Sequence, residues 1–133
     1  MRMRKPGVLF LCVHNAGRSQ MAAGFMRQFQ AIEVFSGGSE PANSVNPVAV
    51  AAMQEKGIDV SKYVPQRWTM DLLESVDVVV TMGCGDECPY IPGKKYVDWP
   101  LNDPAGQGIE MVRNVRDEIE QRVKLLAEEM LND

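Results

Sequence analysis

The sequence predicts an α/β fold, a parallel sheet flanked by helices on both faces. Continuous apolar runs rich in β-branched residues occur at Val8–Val13 and Val76–Met82, as expected of strands buried on both sides. Stretches with helical spacing of apolar residues separate such runs. The elements alternate strand, helix, strand, helix, strand, strand, helix, the order of parallel strands joined by helical crossovers.

The first strand, Val8–Val13, is bounded by Pro6-Gly7 and Asn15. A helix is expected over Ser19–Gln30, where Met21, Phe25 and Phe29 share one face. Ile32–Ser36 reads as a short strand closed by Gly37-Gly38. Asn46-Pro47 places an N-cap before a proline at the first helical position, and that helix should run to Lys56 and stop at Gly57. "WTMDLLES" (68–75) reads as another short helix. The third strand, Val76–Met82, is interrupted only by Asp77 and Thr81, and Lys95–Asp98 forms a fourth. From Ile109 onward Val112, Val115, Ile119, Val123, Leu126 and Met130 recur at spacings of 3 and 4. This is a long amphipathic helix, with "RDEIEQR" and "AEEM" on its solvated face. Met21, Met53 and Met130 fall on helix core faces. Trp68, Trp99, Tyr90 and Tyr96 are assigned either to the rim of a site or to packing.

The 133 residues suffice for one domain, 1–133, and at 45% hydrophobic they can form a core. The net charge of −4 argues against a nucleic-acid partner. The basic start "MRMRKPG" precedes an apolar run too short for a secretory signal, and no run reaches membrane-spanning length. The expectation is a cytoplasmic monomer with no membrane partner. In that compartment thiols are held reduced, so the three cysteines are not a set of structural bridges.

"CVHNAGRS" (12–19) leaves the carboxyl end of the first strand and "GCGDEC" (83–88) leaves that of the third. Parallel sheets bind ligands beyond the carboxyl ends of their strands. If the two strands are neighbours, about 4.8 Å apart, both cysteine-bearing loops open on one rim. Cys12, Val13, His14, Asn15, Ala16, Gly17, Arg18 and Ser19 form a candidate oxyanion-binding loop. Asn15 tolerates a left-handed conformation and Gly17 adopts one freely. Such a turn points successive amides inward as an anion nest. The following helix adds its positive end, and Arg18 adds a planar fork of donors suited to two oxygens. The same field favours a thiolate over a thiol at Cys12, and Ser19 can donate its hydroxyl to the sulfur. His14 is assigned to shaping the loop.

The segments "VLFLCVHNAGRSQMA", "SVNPVAVAAM", "DVVVTMGCGDECP", "DWPLNDPAG" and "VRDEI" resemble the low-molecular-weight protein tyrosine phosphatase superfamily, and within it the thioredoxin-coupled arsenate reductases. The resemblance covers the chain from Val8 to the C-terminal helix. It implies a four-stranded parallel sheet, with Cys12 as nucleophile, Arg18 as oxyanion clamp and Asp103 as general acid. Asp103 sits in a loop fixed by Pro104, where a carboxyl can protonate a departing oxygen. "NDPAG" is also an ordinary turn sequence. Asp86 and Asp98 read as surface carboxylates.

A phosphatase has no need of Cys84 and Cys88; a reductase does. Reducing arsenate to arsenite takes two electrons, which a thiol pair supplies on forming a disulfide. Cys12 would attack arsenate, Cys84 would attack Cys12 and release arsenite, and Cys88 would attack Cys84, leaving a Cys84–Cys88 bridge for thioredoxin to reduce. Phosphate and sulfate would compete as oxyanions. Gly83 and Gly85 could absorb the rearrangement, so "MGCGDECPYIPG" (82–93) is expected to move. The second and third cysteines lie closer together than in better-known members of this reductase group. Ala23 stands where some members carry an acidic residue that helps bind a monovalent cation, so no metal and no cofactor are carried over.

Three alternatives share parts of this set. A tyrosine phosphatase would use Cys12, Arg18 and Asp103, although the aromatic residue usual after Asp-Pro is Ala105 here. An arsenate–mycothiol transferase would use Cys12 without both later cysteines. A zinc-stabilised binding module would use Cys12, His14, Cys84 and Cys88, without the usual knuckle spacing.

Overall fold

The structure, a computed structural model, describes residues 5–82, 90–102 and 106–132. Four parallel strands form one sheet: β1 (Gly7–Leu11), β2 (Glu33–Gly37), β3 (Val78–Thr81) and β4 (Lys95–Asp98), in the order β2-β1-β3-β4. The central strands β1 and β3 are the continuous apolar runs of the sequence, because each has a neighbour on both sides and a covered layer on both faces. Leu11 pairs with Thr81, so the chains leaving β1 and β3 start side by side.

Alternate side chains of β1 serve two cores. Val8 and Phe10 enter the larger one, with helices α1 (Arg18–Met26), α2 (Pro47–Gln54) and α4 (Ile109–Leu131). Leu9 and Leu11 enter the smaller one, with α3 (Met70–Ser75), Val76 and Val79, backed by Trp68 and Tyr96. Helices therefore cover both faces, but unequally. Every residue of α1 is buried, since the helix is enclosed by the sheet, α2 and α4. Gly24 fits this enclosure: an added Cβ would lie 3.0 Å from both Met53 and Val60 side-chain atoms.

Local chemistry sets the boundaries. β1 stops at Leu11 rather than Val13, because the Val13 carbonyl accepts the Glu40 amide instead of a strand partner. α1 ends at Met26 rather than Gln30, where the chain tightens into turns closed by Gln28 N–H to Phe25 O and Phe29 N–H to Met26 O. α2 is capped by Asn46, whose Oδ1 accepts the Val48 amide at 2.9 Å, and ends at Gln54 in a turn completed by Gly57 at φ 76°. Thr69 caps α3 through the Leu72 amide. β3 begins at Val78 rather than Val76, because the Asp77 carboxylate accepts the Gly7 amide at 2.8 Å. The six apolar positions read from the spacing of α4 are all buried.

One charged residue of α4 departs from the expected solvated face. Arg116 is only 6% exposed and donates to Ala52 O at the end of α2 and to Glu55. Arg113 pairs with the same carboxylate at 2.6 Å, so Glu55 ties α2 to α4. The Arg122–Glu118 and Lys124–Glu120 pairs do lie on the outer face at i, i+4. Trp99 is buried against Phe10, with ring centroids 5.8 Å apart, so it packs. Tyr90 is exposed and stacks on Tyr96. No helix among the described residues is long and apolar enough to cross a membrane.

Two predictions follow from this packing. Hydrogen bonds from Arg113 and then Arg116 hold the Glu55 carboxyl down to about 2, from 4.5. A depressed carboxyl stabilises the fold above its unfolded-state pKa and loses that contribution as pH falls toward the folded value. The melting temperature should therefore fall between pH 4.5 and 2 more steeply in the wild type than in Glu55→Gln. Separately, a Cβ at Gly38 would lie 2.4 Å from the carbonyl oxygens of Cys12 and Val13. Gly38→Ala should destabilise the domain by about 1–3 kcal/mol in urea unfolding, and an unchanged midpoint would contradict this close approach.

Candidate active site

The chain leaves β1 at Leu11, and Cys12 follows, 3% exposed, its amide donating to Gly37 O at 3.3 Å. Asn15 then takes φ 50°, the only positive φ outside glycine among the described residues. Gly17 does not share it: the residue caps α1 at φ −128°. One left-handed residue, not two, makes the turn.

The segment after β2 fixes the orientation of the loop. Glu40, Ala42 and Asn46 donate their amides to the carbonyls of Val13, His14 and Ala16, at 2.8, 3.0 and 2.8 Å. In a planar trans peptide the C=O and N–H point opposite ways. Holding those carbonyls against the 40–46 segment therefore turns the amides of His14, Asn15 and Gly17 away from it. Among the described residues these three amides donate to no protein acceptor. α1 begins at Arg18, so its first-turn amides and the positive end of its dipole face the same region.

The side chains complete the arrangement. Ser19 Oγ lies 3.0 Å from Cys12 Sγ, both buried. Asn15 Nδ2 donates to Ser19 Oγ at 2.7 Å. Asn15 Oδ1 accepts the Gln66 amide at 2.9 Å and Gln20 Nε2 at 3.3 Å. Gln66 also donates its side-chain amide to Ser36 O and accepts the Gly38 amide, tying the end of β2 to the loop. Arg18 is 6% exposed, and its Nη1 donates to Met82 O at 2.8 Å and Leu101 O at 3.2 Å. It thus stands where the chains leaving β3 and β4 meet the loop.

Cys12 to Ser19 form one constellation. Cys84, Cys88 and Asp103 lie outside the described residues, as does most of the segment expected to move. Met82 and Leu101, each two residues before Cys84 and Asp103 in the chain, have their carbonyls held by Arg18. His14 is exposed and its Nδ1 lies 3.0 Å from Glu40 O, which fits a residue that shapes the loop. It is held on the outside while Cys12 is buried, an arrangement that does not favour a shared zinc ion. No group of three or more His, Cys, Asp or Glu side chains among the described residues is placed to hold a metal. Ala23 is fully buried in the apolar core. Asp98 accepts the Thr81 hydroxyl at the exposed edge of the sheet.

The model of the low molecular weight phosphotyrosine protein phosphatase family matches residues 7–133. An arsenate reductase of Halalkalibacterium halodurans is 43% identical over 138 residues, covering 95% of this chain and 98% of its own. The structure of a Corynebacterium glutamicum thioredoxin-dependent arsenate reductase superimposes with a TM-score of 0.85 at 36% identity, covering 98% of this chain. This chain spans 64% of that protein's length. The structure of an arsenate reductase in the phosphate-binding state gives a TM-score of 0.82 at 37% identity, covering 94% of this chain and 98% of its own. With the parallel sheet, the cysteine past β1 and the match over residues 7–133 all agreeing, the chain belongs to the low molecular weight phosphotyrosine protein phosphatase family.

Proposed function

We propose that this chain is an arsenate reductase, one catalytic domain that converts arsenate to arsenite through a thiol relay and is reset by thioredoxin. The observation that carries the reading is the Cys12 sulfur, buried 3.0 Å from Ser19 Oγ, in a loop whose carbonyls are pinned outward. The chain also carries two further cysteines, Cys84 and Cys88, just after Met82. Relatives at 43% and 36% identity bear the name arsenate reductase, the second of them thioredoxin-dependent.

The amides of residues 13–19 and the Arg18 guanidinium bind the oxyanion by charge-assisted hydrogen bonds. The Cys12 thiolate attacks arsenic, and Asp103 protonates the oxygen that leaves as water. The product is a Cys12–arsenate adduct. The Cys84 thiolate then attacks the Cys12 sulfur. An S–S bond forms, the S–As bond breaks, and its electron pair stays on arsenic, which leaves as arsenite. Cys88 attacks Cys84, freeing Cys12 and leaving a Cys84–Cys88 disulfide. The dithiol of thioredoxin takes up that bridge and is itself oxidised. Phosphate and sulfate occupy the same loop without being reduced. The protein works as a monomer in the cytosol, where thioredoxin keeps thiols reduced.

Cys12→Ser should abolish turnover of arsenate with thioredoxin, thioredoxin reductase and NADPH. Cys88→Ser should release arsenite once and trap a Cys12–Cys84 bridge, visible by mass spectrometry. Absence of that bridge would overturn the relay order. Asp103→Asn should slow turnover by about 10²–10⁴-fold, the usual contribution of a general acid, with phosphate affinity retained. An unchanged rate would remove Asp103 from the mechanism.

A further inference from the structure

Gln20 is 1% exposed in the first turn of α1. Its Nε2 donates to two oxygens of one residue, Asn15 O at 3.0 Å and Asn15 Oδ1 at 3.3 Å. That residue is the one held at φ 50°. Gln20 Oε1 is buried and has no partner among the described residues. An unpaired buried carbonyl disfavours the fold, so methionine, of similar length, would satisfy packing alone at least as well. What the glutamine adds is its donor.

The donor has a directional consequence. Asn15 Oδ1 receives two N–H groups, from Gln20 and from the Gln66 backbone. The atom facing two donors is the oxygen, so the other end of the amide is the NH2. Asn15 Nδ2 must then donate to Ser19 Oγ, at 2.7 Å. A hydroxyl has one proton and here already accepts from Asn15. That proton is left for the Cys12 sulfur at 3.0 Å. The charged groups on the same loop are Arg18, tied to the Met82 and Leu101 carbonyls, and exposed His14, tied to the Glu40 carbonyl.

We propose that Gln20 is a positioning residue, which holds Asn15 left-handed and, through Asn15 and Ser19, aims a hydroxyl proton at the Cys12 sulfur. This rests on the reading of Cys12 as the nucleophile. Its test does not require arsenate: alkylation of Cys12 by iodoacetamide, followed by peptide mapping of the full chain at pH 7 and pH 10. In Gln20→Met the Cys12 rate should fall about tenfold at pH 7, equivalent to about 1.4 kcal/mol, and match the wild type at pH 10. Added to Ser19→Ala, Gln20→Met should produce no further loss, because the two act in one chain. Gln20→Leu, which keeps the apolar bulk but loses the donor, should behave as Gln20→Met does and serves if the latter does not fold. An unchanged rate at pH 7, an equal loss at both pH values, or losses that add to Ser19→Ala would each overturn the proposal. A wild-type protein that alkylates as described yet fails to reduce arsenate would instead count against the proposed function alone.

Discussion

The three backbone hydrogen bonds from the 40–46 segment to the carbonyls of Val13, His14 and Ala16 govern the rest of the site. A peptide plane cannot turn its oxygen and its hydrogen to the same side. Once the oxygens are taken on the outside, the amides have only the inside to face. Gly38 lets the chain after β2 pass close against the loop, since any side chain there would meet the carbonyls of Cys12 and Val13. The parallel register β2-β1-β3 brings the same rim to the end of β3, where Arg18 grips Met82 O. Sheet order, glycine pair and arginine anchor converge on one cup.

Energetics decide what such a cup can hold. Bringing an oxyanion out of water costs several kcal/mol even after relaxation. Hydrogen bonds to a charged group contribute roughly 1.5–3 kcal/mol each, net of the water they replace, and in the proposed reading three turned amides, the first turn of α1 and a guanidinium supply them together. A neutral ligand would gain about half as much per bond and would leave the helix dipole unanswered. In the function we propose, the site selects for the negative charge of a bound oxyanion.

Much of this was legible from residues near one another in the chain. The apolar runs of β1 and β3, the Asn46-Pro47 cap and the period of α4 depend on local patterns, and each element appears there, with β1 ending and β3 beginning two residues inside its apolar run. The parts that were not legible depend on distant partners. Nothing around Gln66 announces a bond to Asn15, 51 residues away. Arg116 reads as a solvated charge until α2 brings Ala52 O and Glu55 to it. Gly17 reads as able to take a left-handed turn, but in the loop Asn15 alone takes one, at φ 50°. Gly37-Gly38 reads as a strand stop, while its closer role is steric.

In the function proposed here, the electrons delivered to arsenic come from this chain's own thiols. This is tested most directly by one turnover without any external reductant, counting arsenite and free thiols together. One arsenite per chain is expected, with two of the three cysteines lost to a disulfide and Cys12 recovered free. Arsenate bound with all three thiols intact and no arsenite formed would contradict it.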